Sequence, residues 1–288
     1  MSMRFVVITP ARNEAAFIEQ LIQCMVAQTC KPLRWVIVSD GSTDGMDDIV
    51  RRYAAQHPWI GLLRTPERTT RQFAGKVHAF NAGYASVRDL PYEAIASMDA
   101  DLTFEPDYFE FLVGKLAADE KLGLVGTPFE EEGKSYDYRF VSIEHVSGAC
   151  QLFRRKAFED IGGYIPMEGG GIDHVAVLTT RMKGWGTRTF TEKKTQHHRK
   201  QGAANRGVLS DKYRIGTLDY RLGGHPAWEI FRATYQLVKP PYLLGGIFIF
   251  TGYFWNWIRR VPRAIPDEVV RFRQAEQKAR LRKLLRLG

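Results

Sequence analysis

The chain has 288 residues, 44% of them hydrophobic and 12% aromatic, with a formal net charge of +9. That length and apolar share fill one large α/β domain with an appendage, or two modest domains, and exclude wholesale disorder. From Arg259 onward ten Lys and Arg stand against Asp267, Glu268 and Glu276, so +7 of the +9 lies in the tail, a pattern that points to a basic anchor and away from nucleic-acid binding. Cys24, Cys30 and Cys150 are odd in number and lack Cys-x-x-Cys spacing; this argues against a disulfide framework or structural zinc and fits a reducing compartment.

Phe5-Val6-Val7-Ile8-Thr9-Pro10 reads as a buried first strand, followed by the loop Ala11-Arg12-Asn13-Glu14. The apolar run is too short for the core of a secretory leader and passes straight into folded-domain sequence, so the body is expected in the cytosol. Between Ala15 and Gln28 the residues Phe17, Leu21, Ile22, Met25 and Val26 recur at helical spacing. Leu33 to Val38 is a second strand, closed by Ser39-Asp40-Gly41-Ser42-Thr43-Asp44; a helix over Asp47–Gln56 and a short strand over Trp59–Leu63 follow. This alternation is the pattern of parallel βαβ units with right-handed crossovers. The segment from Arg64 to Gly75 has no apolar periodicity, and Lys76 to Tyr84 reads as a helix opening on a lysine. A helix over Pro106–Ala118 and a strand over Leu122–Thr127 continue the alternation.

Between the Lys76–Tyr84 and Pro106–Ala118 helices lies Ala94-Ile95-Ala96-Ser97-Met98-Asp99-Ala100-Asp101, a buried-strand run leading into two carboxylates. Ligands of open α/β sheets bind at the carboxyl ends of strands, and two hard oxygen donors there suit a divalent cation that keeps positions free for a phosphate. Taken alone, Asp-x-Asp is equally an acidic turn or a helix cap. No Gly-x-Gly-x-x-Gly follows the first strand and no Gly-x-x-x-x-Gly-Lys-Ser/Thr occurs, so dinucleotide and P-loop chemistry lose their main signal.

Ile8-Thr9-Pro10-Ala11-Arg12-Asn13-Glu14, Val38 to Asp44, Gly75-Lys76-Val77-His78-Ala79-Phe80-Asn81-Ala82-Gly83 and Met98-Asp99-Ala100-Asp101 occur in that order. Together they resemble the nucleotide-sugar half of family 2 glycosyltransferases of the GT-A fold. The resemblance implies an α/β fold with a mostly parallel, helix-flanked sheet, binding a nucleoside diphosphate sugar (a UDP-sugar favoured) with Mg²⁺ or Mn²⁺. It implies that Pro10, Arg12, Glu14 and Asp40 line the nucleoside, that Lys76 lies against base or diphosphate, that Asp99 faces the ribose or sugar, and that Asp101 is a metal ligand. Beyond them, Val146-Ser147-Gly148-Ala149-Cys150-Gln151 resembles the family's segment before the acceptor site, a small-residue turn leading into a strand.

Glu168-Gly169-Gly170-Gly171-Ile172-Asp173-His174 then precedes a helix ending at Lys183-Gly184-Trp185-Gly186. Counting back from Trp185 puts Asp173 on the family's general-base position, although Ile172 and Val175 stand where acids are common. A capping aspartate can also be the catalytic one. In Thr195-Gln196-His197-His198-Arg199-Lys200-Gln201-Gly202 the resemblance implies a histidine, His197 or His198, that completes the metal or diphosphate site, with Arg199 closing over phosphates.

The resulting division is a catalytic domain over 1–224 (nucleotide-sugar half 1–104, acceptor half 105–224) and a helical, membrane-associating tail over 225–288. Ala227 to Val238 is amphipathic, and Tyr242 to Ile258 is nearly all apolar or aromatic, flanked by Lys239 and by Arg259, Arg260 and Arg263. Seventeen helical residues reach only about 25 Å against about 30 Å of hydrocarbon. An in-plane or re-entrant segment on an anionic cytoplasmic leaflet is therefore preferred over a crossing, a buried helix or a homo-oligomer contact. Asp267 to Leu287 reads as a basic helix. The expectation is a membrane-associated, inverting glycosyltransferase of surface-polysaccharide assembly with a lipid-linked acceptor. A sugar-phosphate nucleotidyltransferase, which needs a Gly-rich loop after the first strand, and a non-catalytic nucleotide-sugar-binding scaffold are the alternatives.

Overall fold

The computed structural model describes residues 3–66, 74–131, 142–167, 169–199 and 207–285. Residues 67–73 of the Arg64–Gly75 segment, Glu168, the Lys200–Gly202 stretch and Leu287 lie outside the described residues. The chain divides into two compact units, Met1–Pro166 with Ile172–Arg199, and Met167–Gly171 with Lys200–Gly288.

The first unit opens with β1 (Phe5–Ala11), α1 (Ile18–Val26), β2 (Arg34–Asp40), α2 (Met46–Ala54), β3 (Ile60–Thr65), α3 (Ala74–Val87) and β4 (Ala94–Met98). It continues through β5 (Leu102–Thr103), α4 (Tyr108–Ala118), β6 (Leu122–Gly126), β7 (Phe129–Glu130), β8 (Cys150–Arg154), α5 (Arg155–Asp160), α6 (Ile172–Met182), β9 (Gly186–Thr189) and β10 (Thr195–His197). Among the described residues a seven-stranded sheet runs β3-β2-β1-β4-β8-β6-β9. Its pairs are parallel except those of β8, which lies antiparallel to both β4 and β6.

Helices cover both faces, which is why β1 reads as an unbroken apolar run. Phe5 and Val7 pack into one core with α1, α2 and α4, and Val6 and Ile8 into a second core with α3 and α6. The strand order reverses between β1 and β4, because β2 and β3 extend to one side of β1 and β4 begins the other. A ligand crevice is expected at the carboxyl ends of strands at such a switch point. A second, three-stranded sheet has the order β5-β10-β7; its strands of two or three residues are too short to carry periodicity, and no sequence signal marks them.

The second unit holds α7 (Val208–Arg221), α8 (Pro226–Leu237), α9 (Leu244–Ile258) and α10 (Asp267–Leu284). Helices α7 and α9 meet backbone to backbone. A Cβ on Gly216 would stand 2.0 Å from the Ile249 carbonyl oxygen, and one on Gly252 2.1 Å from that of Tyr213. The glycines that interrupt the apolar run therefore form the packed face of α9, with Ile249 and Tyr253 buried beside them. No helix among the described residues is long and apolar enough to cross a membrane.

A buried ion cluster ties α7, α8 and α10 together. Arg273 donates from Nη2 to Asp219 Oδ1 at 2.5 Å and from Nη1 to the carbonyls of Asp219 and Leu222 at 3.2 and 2.8 Å. Arg232 reaches the same Asp219 oxygen at 3.1 Å, and Glu229 is fully buried beside them. Burial and the neighbouring charge of Asp219 push the Glu229 carboxyl up to about 9. Burial pushes Asp219 upward too, but the two guanidiniums outweigh it and hold it at about 2.

Candidate active site

All five residues of β4 are buried, and the strand is paired on both sides, by β1 and β8. Its carboxyl end is thereby held in place, and the chain turns through Asp99-Ala100-Asp101 into β5. Two backbone bonds fix the turn: Asp99 N–H donates to the Ala149 carbonyl at 2.9 Å and His198 N–H to the Asp101 carbonyl at 3.0 Å. Strand β10 runs antiparallel to β5, with His197 opposite Leu102.

That register brings the His197 Nε2 to 3.6 Å from Asp101 Oδ1, and one ligand atom each of Asp99, Asp101 and His197 lies within 4.8 Å of the others. His197 Nδ1 lies 2.5 Å from the Arg199 carbonyl. A carbonyl only accepts, so Nδ1 carries a proton toward Arg199 and Nε2 is the ring nitrogen turned to the carboxylate side. Its neighbour His198 is exposed, bonds Thr103 through Nε2 at 2.9 Å and stacks on Phe17. The two histidines part at the end of β10: His197, its last residue, is buried, and His198, just beyond it, is exposed.

Burial, and next the charge of Asp99, push the Asp101 carboxyl upward, while His197 and Arg199 oppose the shift. Two crowded carboxylates and an imidazole that presents Nε2 to them form a donor set that fits a divalent cation.

On the far side of the crevice, the loops after β1 and β2 are laced together. Asn13, at φ 54°, donates from its backbone to Ser42 Oγ at 3.1 Å and accepts from Thr43 N–H at 2.9 Å, and Asp44 accepts from Ala15 N–H at 2.7 Å. Asparagine tolerates that left-handed backbone because its short side chain bonds locally. Pro10 sits within β1, paired with Val38 of β2, and Arg12 is half-buried on the loop beyond it. Asp40 is buried at the end of β2 and accepts from Thr65 Oγ1 at 3.1 Å. Glu14 accepts from Arg199 Nη2 at 2.6 Å, so two residues 185 positions apart meet across the mouth.

Lys76 on α3 is ion-paired with Asp99. Burial favours its neutral form, but Asp99, and more weakly Asp173 and Asp101, outweigh that and raise its pKa. Asp173, in the first turn of α6, shares a small pocket with Lys76, Ser97, Gly148, Gln151 and Tyr164. A Cβ on Gly148 would stand 2.8 Å from the Asp173 carboxylate, so only glycine lets the turn approach so closely. The sequence reading did not single out Ser97, Gln151 or Tyr164 as site residues; a lone buried polar side chain, on β4, on β8 or in the segment after α5, carries no motif.

The chain from 6 to 162 matches the model of Glycosyl transferase family 2. The chain belongs to that family. Relatives include the succinoglycan biosynthesis protein ExoA of Rhizobium meliloti (strain 1021), 29% identical over 179 residues, covering 55% of this chain and 52% of that protein. The chain spans about a third to a half of the length of the curated relatives it matches.

Among solved structures, the mannosyltransferase PcManGT from Pyrobaculum calidifontis in complex with GDP-Man and Mn²⁺ aligns with a TM-score of 0.60 at 21% identity, over 98% of this chain and 81% of that one. TarS 1-349 of S. aureus in complex with UDP-GlcNAc aligns with a TM-score of 0.57 at 13% identity, over 91% and 74%. These likenesses, with the mixed, mostly parallel sheet and its flanking helices, show the GT-A fold expected for family 2.

Proposed function

We propose that this protein transfers a sugar, with inversion, from a nucleoside diphosphate sugar (a UDP-sugar favoured) to a hydroxyl of a lipid-linked glycan in surface-polysaccharide assembly. The observation that carries the reading is the Asp99, Asp101 and His197 cluster at the end of β4, with Asp173 facing the adjoining pocket. Asp101 and His197 would hold Mg²⁺ or Mn²⁺, and Asp99 would face the ribose or donor sugar. A bound divalent ion supplies neutralisation of the charge that develops on the departing diphosphate.

Glu14 and Asp40 would hydrogen-bond the nucleoside, Lys76 would lie against base or diphosphate, and Arg199 would close over the phosphates. Asp173 would take the proton from the acceptor hydroxyl as its oxygen attacks the anomeric carbon opposite the leaving group, which inverts the configuration. The GDP-Man and Mn²⁺ of the Pyrobaculum complex and the UDP-GlcNAc of the TarS complex support a metal-held nucleotide sugar. The Rhizobium relative supports the polysaccharide setting.

The test is a thermal-shift panel of UDP-, GDP- and TDP-sugars with and without Mn²⁺. One donor should raise the melting temperature only with Mn²⁺, by several degrees at about 100 times its dissociation constant, equivalent to about 2.7 kcal/mol. Asp101→Asn should remove that increment. A donor shift equal with and without Mn²⁺, or retained in Asp101→Asn, refutes the metal-held donor.

The membrane reading rests on the face of α9 turned away from its packed glycines. Leu244, Ile247, Phe250, Trp257 and Ile258 are exposed at helical spacing, next to Arg259 and Arg260. Apolar side chains beside cationic ones match the headgroup level of an anionic cytoplasmic leaflet. Each large side chain that enters the bilayer contributes about 1.5–3 kcal/mol, so Ile247→Asp with Phe250→Asp should lower co-sedimentation with phosphatidylglycerol vesicles more than about tenfold. If the variant instead turns a dimer into a monomer and vesicle binding is unchanged, the face is a contact between copies.

A further inference from the structure

Gln151 lies on β8, fully buried, one strand away from the Asp99 turn. A buried amide is costly unless its donors and acceptor are all met, and here each has a partner. Nε2 donates to the Val146 carbonyl at 3.2 Å and to the Asp173 carbonyl at 3.3 Å, while Oε1 accepts from the Tyr164 hydroxyl at 2.7 Å. Carbonyls only accept, so the NH₂ must face Val146 and Asp173, and the hydroxyl of Tyr164 holds the amide in that orientation. Ser97 stands opposite Gln151 in the β4–β8 register and lines the same pocket as Tyr164.

The two carbonyls held by one amide belong to the two sides of a close contact. Val146 opens the turn that carries Gly148, and the Gly148 backbone approaches the Asp173 carboxylate so closely that no Cβ fits between them. One buried side chain therefore joins the turn to the start of α6.

We propose that Gln151, oriented by Tyr164, is the positioning residue that sets where the Asp173 carboxylate stands. The proposal deepens the reading of Asp173 as the base and rests on it. Gln151 directs its hydrogen bonds to Val146, Asp173 and Tyr164 and none of them to Asp99, Asp101 or His197, so its loss is expected to fall first on the proton-accepting side.

The test uses the full chain, Mn²⁺ and the donor selected by the thermal-shift panel, with water as acceptor, and follows release of nucleoside diphosphate. Gln151→Met keeps length and apolar bulk but removes both donors. Because a misplacement of about 1 Å costs on the order of 10²-fold, kcat should fall about 30- to 100-fold, with the donor KM and the calorimetric affinity for UDP and Mn²⁺ within about twofold of wild type. Tyr164→Phe, which frees the amide without removing it, should lower kcat about 3- to 10-fold, and the double variant should match Gln151→Met alone.

A Gln151→Met enzyme within about threefold of wild-type kcat while Asp173→Asn is inactive overturns the positioning role and leaves the base intact. A parallel loss of kcat and nucleotide affinity, or additive single effects, overturns it as well. Turnover retained in Asp173→Asn overturns the base reading and the proposal with it. If Gln151→Met does not fold, Tyr164→Phe decides alone: lowered kcat with unchanged nucleotide affinity upholds the proposal, and unchanged kcat overturns it.

Discussion

Asp173→Asn is expected to lower nucleoside diphosphate release by about 10²–10⁴-fold, the usual contribution of a positioned general base. Asparagine keeps the size of the side chain beside Gly148, where the backbone leaves no room for a Cβ, so the wall of the pocket should not shift. What it removes is the basic carboxylate that takes the acceptor proton. In the proposed reading donor binding depends on other residues: Glu14 on the loop after β1, Asp40 at the end of β2, Asp101 on the turn after β4 and His197 at the end of β10. The Mn²⁺-dependent affinity for the donor should therefore stay within about twofold, so that the loss falls on kcat. Equal losses of binding and turnover would place Asp173 on the donor and leave the acceptor without a base.

Arg273→Met is expected to destabilise the second unit by about 3–5 kcal/mol, the cost of leaving a buried charge without its partner. Arg273 is buried and supplies three donated bonds that join α10 to Asp219 and Leu222 at the end of α7. Methionine fills the space but leaves the Asp219 carboxylate to Arg232 alone, at 3.1 Å. Urea denaturation followed by the tryptophans of α8 and α9 reads the change; a shift under about 1 kcal/mol would mean that packing between α7 and α9, and not the ion cluster, holds the unit.

The same cluster sets a pH dependence through Glu229. Its carboxyl holds a proton in the folded state up to about 9, whereas the unfolded chain releases it near the ordinary glutamate value. Between those two values the folded state binds more protons, so stability declines as pH rises from about 4.5 towards 9. Asp219, held at about 2, contributes stability that is present above its ordinary value and lost as pH falls through about 2. Glu229→Gln stays neutral at every pH. It should flatten the decline between pH 5 and 9 and make the chain more stable than wild type at pH 8, while a decline of unchanged slope would assign the effect to another group.

Much of the first unit was legible because its elements bury themselves in the simplest way. Strands β1, β2 and β4 are covered on both faces, so they had to be continuous apolar runs, and α1 and α2 carry one apolar stripe each. The position of the acids was legible for a related reason: Asp40, Asp99 and Asp101 close or directly follow such runs and so stand at the carboxyl ends of strands. Other parts had no local signal. The antiparallel β8 looks, residue by residue, like any buried strand, and direction is set by its partners. The three-stranded sheet is assembled from pieces of two or three residues drawn from far-apart places, and its register alone separates His197 from His198. The apolar run of the tail spoke of lipid, yet one face of it is lined with glycines that pack on α7 and α8.

By itself, the amino-acid sequence determined the α/β alternation, the order of the nucleotide-sugar motifs, the Asp99–Asp101 turn and the short reach of the apolar tail segment, because each depends on near neighbours along the chain. Only the tertiary structure decided which histidine faces Asp101, that Arg199 pairs with Glu14, that Gln151 joins the Gly148 turn to Asp173, and that Arg273 neutralises Asp219. Those are contacts between residues tens to nearly two hundred positions apart, and side-chain chemistry at such a distance is set by packing and register, which no local pattern encodes.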